Sequence, residues 1–399
     1  MSKPIAAVAY SFAGSVTLGV MCHFQVNHAL EEVPVGLGSQ RYNLGPIGVS
    51  VWDRPDAWPL KALRGCDAVF GAPPCHGFAM CNTARGGTGR SRGVHHPDNV
   101  YMKKFAALVV KLDAKVGAFD MVPGFFTTGR PILEWMVALW ERHGYATTVV
   151  KTEGMSLGLP SRRRRLAVIA HQVPLEVPMP NWDRLTSGYD AISDLVTQPL
   201  AWDRRPYATA PLNEYQRSLR GEGSLHPWAR LRNASGTVSL HDIPDHRGDP
   251  IGKRLVELDS RGPWDDMNAE ELRALVPDGR CLPGKFAFRV RTVGPSGCVT
   301  SSCNIFHPTA GRNMTAREHA RLMSYPDWYE FAVGQRALVS YAEIAKAMPP
   351  IMAEELAGYV AAQVGQRRRS MRGFTVVDRT KMTGAAREWI DASRRREQA

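Results

Sequence analysis

No stretch of this 399-residue sequence stays apolar for the roughly 20 residues that a membrane-crossing helix requires, so no membrane partner is expected. The apolar run inside MSKPIAAVAYSFAG is too brief and too lightly charged for a secretory leader and reads as a first strand. A disulfide framework is missing as well. The seven cysteines, at 22, 66, 75, 81, 281, 298 and 303, are odd in number, and the close pair Cys298 and Cys303 has no second pair to match it. Nor does any Cys/His cluster have zinc-finger spacing, so no metal is expected, and the thiols suit a reducing cytoplasm. No internal repeat is visible. Acidic residues are in deficit: 38 Asp and Glu stand against 50 Lys and Arg, a formal net charge of +12. That imbalance favours a polyanionic partner, nucleic acid first.

What is present is an ordinary globular balance, 44% hydrophobic and 22% charged, enough for one large core and a smaller second domain. Residues 1–172 alternate between strand and helix patterns. IAAVAYSF, AVFGA, VGAFDMV and RRLAVIA read as strands, while YMKKFAALVVKLDA places Phe105, Leu108, Val109 and Leu112 on one helical face. PILEWMVALWERHG reads as a helix ending at Gly144. Such alternation predicts an α/β fold with a Rossmann-like, doubly wound and mainly parallel sheet, whose ligands sit at the carboxyl ends of the strands. Cys75 and Asp120 each follow such a strand and are expected to face one cleft. Residues 173–311 change texture, with prolines, tryptophans, Arg and Asp in place of long periodic runs, and read as a smaller irregular domain. Regular helices return over 312–365, where Thr315 and Glu318 form a capping-box pattern. The segment 366–399 is basic and is expected to be a loosely ordered tail.

One short stretch carries the chemistry. In DAVFGAPPCHGFAM two prolines stiffen the backbone just before Cys75 and fix where its sulfur points. A buried structural cysteine is the bland reading of PPC alone. Its context resembles the DNA cytosine-5 methyltransferases over nearly the whole chain. GAPPCHGFA is similar to that family's Pro-Pro-Cys-Gln motif, and FDMVPGF (119–125) to its Glu-Asn-Val motif. GLPSRRRRLAVIA (158–170) is similar to its Gln-x-Arg-x-Arg motif, with Arg163 and Arg165 on the two arginine positions. RNMTAREHARLMSYPDWYEF (312–331), IAKAMPPIMAEEL (344–356) and SFAGSVTLG (11–19) resemble three further motifs, all in family order.

The resemblance implies a mechanism. Cys75 adds as a thiolate to carbon 6 of a cytosine flipped out of double-stranded DNA, and carbon 5 then takes a methyl group. Asp120 serves nitrogen 3 of the base, and Arg163 or Arg165 the base carbonyl or a phosphate. S-adenosylmethionine is the implied cofactor, or a modified analogue, held by Phe12, Ala13, Gly14, Pro73, Lys346 and one of Glu31 or Glu32, the acidic residue for the ribose hydroxyls. Residues 173–311 fall where the family places target recognition. A monomer in the cytoplasm is expected.

Departures from the family pattern gather at the site. Ser15 and Val16 stand where more glycine is usual, Asp120 and Met121 replace Glu and Asn, His76 and Ala79 replace Gln and Ser, and Ala345-Lys346 replaces Gly-Asn. Three readings follow: an ordinary methyltransferase; an enzyme of the same mechanism whose modified sulfonium donor, paired with Lys346 and a wider pocket at Met121, leaves a different carbon-5 substituent; or a non-catalytic DNA-binding homologue.

Overall fold

The computed structural model describes residues 2–79, 93–195, 204–232, 237–239, 288–290, 293–299, 305–309, 314–332 and 339–396. Two compact units emerge. The first comprises Met1–Glu153, Arg164–Pro180 and Ala347–Lys381; the second comprises Gly154–Arg163, Asn181–Lys346 and Met382–Ala399.

The first unit is built on an eight-stranded sheet. Its first seven strands are β1 (Ala6–Ala9), β2 (His28–Leu30), β3 (Ser50–Trp52), β4 (Ala68–Gly71), β5 (Val116–Met121), β6 (Ala146–Glu153) and β7 (Arg164–His171). The eighth is Phe374–Asp378, numbered β12 after the four short strands of the second unit. Their order is β12-β6-β7-β5-β4-β1-β2-β3, parallel throughout except that β7 runs against both neighbours. This is the doubly wound, mainly parallel α/β sheet that the alternating pattern predicts. β1, β4 and β5 are fully buried along their length, which explains why they are continuous apolar runs rather than alternating ones.

Among the described residues five helices precede β6: α1 (Ser15–Val20), α2 (Leu37–Leu44), α3 (Leu60–Leu63), α4 (Asn99–Lys111) and α5 (Arg130–Arg142). The predicted face of α4 is the buried one. Phe105, Leu108 and Val109, with Leu112 just beyond, pack into the main core beside Ile132, Leu133, Met136 and Trp140 of α5.

The second unit holds α6 (Glu214–Leu219), α7 (Ala316–Leu322), α8 (Val339–Lys346) and two small sheets. These pair β8 (Arg204–Pro206) with β9 (Thr237–Ser239), and β10 (Phe288–Arg289) with β11 (Ile305–Phe306). The capping box is formed: Thr315 Oγ1 accepts from the Glu318 amide, and the Glu318 carboxylate accepts from the Thr315 amide. Buried Arg321 on α7 is neutralised by Asp194 and Asp327. After α9 (Pro350–Val364) the chain reaches β12.

The expectation of a loose basic tail needs correction. Thr375 to Val377 are β-branched or β-favouring, and Phe374–Asp378 pairs in parallel with Thr147–Lys151 as an edge strand. Arg379 then binds the carboxylate of Glu355, and α10 (Gly384–Arg396) buries Ala386 and Ile390 against Met155 and Trp182 within the second unit. Five arginines and a lysine between 366 and 381 mask this pattern in the sequence, because charge runs usually mark solvated chain.

Candidate active site

Strands β1, β4 and β5 are neighbours in matched register, Ala9 opposite Gly71 and Gly71 opposite Phe119. Their carboxyl-end turns therefore leave the sheet side by side. After β4 the chain runs through Ala72, Pro73 and Pro74, all buried, to half-buried Cys75. The Ala72 amide donates to Tyr10 O at 3.2 Å, tying this turn to the one after β1. A short 3₁₀ turn, His76–Phe78, follows at once, with the Phe78 amide on Cys75 O at 3.0 Å. The Phe78 ring packs edge-on against Phe125, 5.4 Å between centroids, beyond β5. The prolines and this aromatic anchor hold both ends of the cysteine turn.

Asp120, on β5, is 5% exposed. Arg165 on β7 approaches it, Nε to Oδ2 at 3.4 Å, with both side chains largely buried. Asp120 and Arg165 thus form one ion pair at the sheet edge that also carries Cys75. The two arginines of the motif part company. Arg163 lies just before β7, in the second unit, where it is 1% exposed and donates to Ala345 O at 2.8 Å and to Val299 O at 3.4 Å. Lys346, the last residue of α8, lies in that unit too. Met121 is wholly buried in the hydrophobic core with Phe119 and Phe125.

The turn after β1 has an unusual backbone. Tyr10, Phe12 and Gly14 all have left-handed φ values, 58°, 50° and 92°. Such conformations are strained for Tyr and Phe and occur where surrounding structure imposes them. Gly36, before α2, explains part of the constraint: at φ +83° it passes so close that a Cβ there would lie 2.7 Å from Phe12 O and 2.8 Å from Ala13 N. Gln40, on α2, donates to Phe12 O and, at 3.0 Å, to Glu31 Oε2. Glu31 is 1% exposed; its Oε1 accepts from the amides of Glu32 at 3.1 Å and Val33 at 3.0 Å. Burial pushes its carboxyl up to about 7, against the pull of these hydrogen bonds. Glu32 is engaged differently, accepting from Tyr10 Oη and from Lys104 Nζ, each at 2.7 Å. Burial, with Glu32 as acceptor, holds the Tyr10 phenol well above its ordinary range.

Two buried polar atoms at this turn, Ser15 Oγ and Gln40 Oε1, have no hydrogen-bond partner among the described residues. With the Glu31 and Glu32 carboxylates they form an acceptor-rich cradle that fits a ligand bearing hydroxyl and ammonium donors. S-adenosylmethionine is such a ligand.

Sequence reasoning missed several members of these sites. Gln40, Gly36 and Lys104 carry no motif of their own. His76 is visible only as a departure from the usual glutamine, and its partner Asp98 has no signal at all. His76 Nδ1 lies 3.2 Å from Asp98 Oδ2, and Asp98 directly precedes α4.

A doubly wound sheet that sets a proline-braced cysteine, a carboxylate–arginine pair and an acceptor-rich turn along one carboxyl edge defines a methyltransferase-type domain. Comparison places it further. The model of the C-5 cytosine-specific DNA methylase family matches residues 53–361, and the chain belongs to that family of DNA-modifying enzymes. It is 26% identical over 381 residues to the type II methyltransferase M.XorII of Xanthomonas oryzae, covering 90% of this chain and 85% of that one. It is likewise 26% identical over 347 residues to M.DdeI of Desulfomicrobium norvegicum, covering 80% and 79%. Among solved structures, a prophage-encoded E. coli protein titled as a DNA modification methyltransferase shares the fold at a TM-score of 0.66 and 19% identity, over 91% of this chain and 100% of that one. Among the described residues no helix is long and apolar enough to cross a membrane.

Proposed function

We propose that this enzyme methylates carbon 5 of a flipped cytosine in double-stranded DNA through a covalent Cys75 adduct. The observation that carries this is Cys75 itself, half-buried on a proline-braced turn at the sheet edge that also holds the Asp120–Arg165 pair. Carbon 5 of cytosine is a poor nucleophile. Addition of the Cys75 thiolate to carbon 6 converts the 5,6 bond and its neighbours into an enamine, and carbon 5 gains the electron density it needs. The negative charge that develops on the ring is neutralised by a proton that the Asp120 carboxyl, oriented by Arg165, passes to nitrogen 3 and takes back when sulfur leaves. Such chemistry requires the base outside the helical stack. Loss of the carbon-5 proton and departure of sulfur from carbon 6 restore the aromatic ring and the thiolate.

The residues of the β1 turn would hold S-adenosylmethionine: Phe12, Ala13 and Gly14 through their backbone, Glu31 or Glu32 through acceptor oxygens, and Pro73 as an apolar wall. The sulfonium supplies an electrophilic methyl group when bound. Arg163 takes a supporting role, fixing the end of α8 beside Lys346. We retain 1–172 with 312–365 as the catalytic domain and 173–311 as the part that reads the DNA target.

Digestion of modified DNA to nucleosides, with a Cys75→Ala control, tests the proposal. A cytidine heavier by one methylene, absent with the variant, is the expected result; activity retained without Cys75 would refute it. A second reading rests on Lys346, a cation where the family carries asparagine: a sulfonium donor bearing an extra carboxylate. Lys346→Asn should then shift preference toward S-adenosylmethionine, and an unchanged preference removes that reading.

A further inference from the structure

The nucleophile turn carries an imidazole–carboxylate pair with no place in the scheme above. His76 follows Cys75 directly, so their α-carbons stand about 3.8 Å apart. Its Nδ1 meets Asp98 Oδ2 at 3.2 Å. Asp98 has a second histidine nearby, His96, with Nδ1 3.8 Å from Oδ2. That nitrogen, however, accepts the Asp98 backbone amide at 3.2 Å, so it carries no proton to give the carboxylate. An ionised Asp98 beside Nδ1 favours the His76 tautomer that carries its proton there, which leaves Nε2 as the basic atom.

The pair is held by packing as well as by charge. Gly77 lies against the 93–98 segment so closely that a Cβ there would meet the His96 Cβ at 2.7 Å. Asn99 donates its side-chain amide to Gly93 O at 2.9 Å and fixes the same segment from the start of α4. Among the described residues, the charged and titratable groups facing this pair include His96 on the same segment.

We propose that His76, held by Asp98, is the proton acceptor that maintains Cys75 as a thiolate before DNA binds. Nε2 takes the proton from Sγ, the S–H bonding electrons stay on sulfur, and the imidazolium is neutralised across Nδ1–H by Asp98. The nucleophile–base–orienter arrangement recurs wherever a cysteine attacks at neutral pH. Through the reaction the imidazolium persists. The carbon-5 proton goes to solvent, and the electrons of the C6–S bond return to sulfur, restoring the thiolate beside it. This rests on the covalent role proposed for Cys75, but its test does not need DNA.

Alkylation of the full-length chain by iodoacetamide, read peptide by peptide between about pH 5.5 and 9.5, reports the Cys75 thiolate directly. Wild type should react with a midpoint well below the ordinary thiol value of about 8.5. His76→Gln, which restores the residue usual in the family, should return the midpoint to that value and slow alkylation about tenfold at neutral pH. Asp98→Asn should fall between the two. Buried Cys66, its thiol pushed up to about 11 by burial, should stay protected in every variant and reports that the fold is intact. An identical Cys75 profile in wild type and His76→Gln would overturn the inference. DNA carrying 5-fluorocytosine, incubated with S-adenosylmethionine, separately traps the carbon-6 adduct, because after methyl transfer the fluorine on carbon 5 cannot leave as a proton does. A shifted thiol without that adduct refutes the covalent mechanism and leaves the pair standing; the adduct with an unshifted thiol does the reverse.

Discussion

The turns after β1 and β4 begin opposite one another, at Ala9 and Gly71, yet they are built on opposite principles. Around the β1 turn, carboxylates and amides are tied inward: Glu31 to two backbone amides and Gln40, Glu32 to Tyr10 and Lys104. At the β4 turn Cys75 is half-buried and the flanking pair, His76 and Asp98, keeps about a third of each side chain in solvent. In the proposed mechanism the β1 turn holds a large polar ligand and is prearranged by buried acceptors. The β4 turn, proposed to reach a base brought from outside, is braced from behind and left accessible in front. Variants of the β4 turn should therefore reduce rate, and variants of the β1 turn should reduce stability.

Cys75→Ala gives the largest effect. Transfer to DNA should fall by more than about 10³-fold, measured as modified nucleoside, with an unchanged denaturation midpoint. A comparable fall in stability would show that the cysteine turn is structural. Arg165→Ala comes next. It strands a largely buried carboxylate, so transfer should drop on the order of 10²-fold with a stability loss of about 3 kcal/mol. Arg163→Ala sharpens the contrast: it removes bonds to carbonyls in the second unit, and stability should fall by about 2 kcal/mol while the folded fraction keeps most of its rate. Equal rate losses at the two positions would put both arginines in the reaction.

Gly36→Ala probes the β1 turn. A Cβ at a left-handed position, against Phe12 O, should cost about 2 kcal/mol in urea unfolding. The smallest effect is the pH response of Glu31. Its folded carboxyl is raised to about 7, above the ordinary range, so its contribution to stability is complete below about pH 4, declines as pH rises, and is lost once pH passes about 7. Glu31→Gln should flatten that decline by on the order of 1 kcal/mol in denaturation curves at acidic and alkaline pH. An unchanged slope would mean that water or another group relieves the burial of Glu31.

Much of this was legible before any coordinates. The apolar runs of β1, β4 and β5, the buried face of α4 and the capping box at Thr315 are local patterns of period and turn chemistry. The edge strand β12 was hidden because its five residues sit between arginine-rich flanks, and the strand pattern is weak without the β6 partner. Arg163 and Arg165 look equivalent at a spacing of two, but β7 starts at Arg164: Arg165, inside the strand, pairs with Asp120, while Arg163, before it, bonds the carbonyls of Val299 and Ala345.

By itself, then, the sequence determined the class of fold and the family and singled out Cys75 as the candidate nucleophile, because those depend on residues close together in the chain. The tertiary structure alone decided the partnerships: Glu32 with Lys104, 72 residues on; His76 with Asp98, 22 residues on; Asp120 with Arg165 across β5 and β7. Such pairs form where strand register and helix packing bring charges together under a shared loss of water. No short pattern in the chain encodes that proximity, since the energy that selects it arises only once the core has closed.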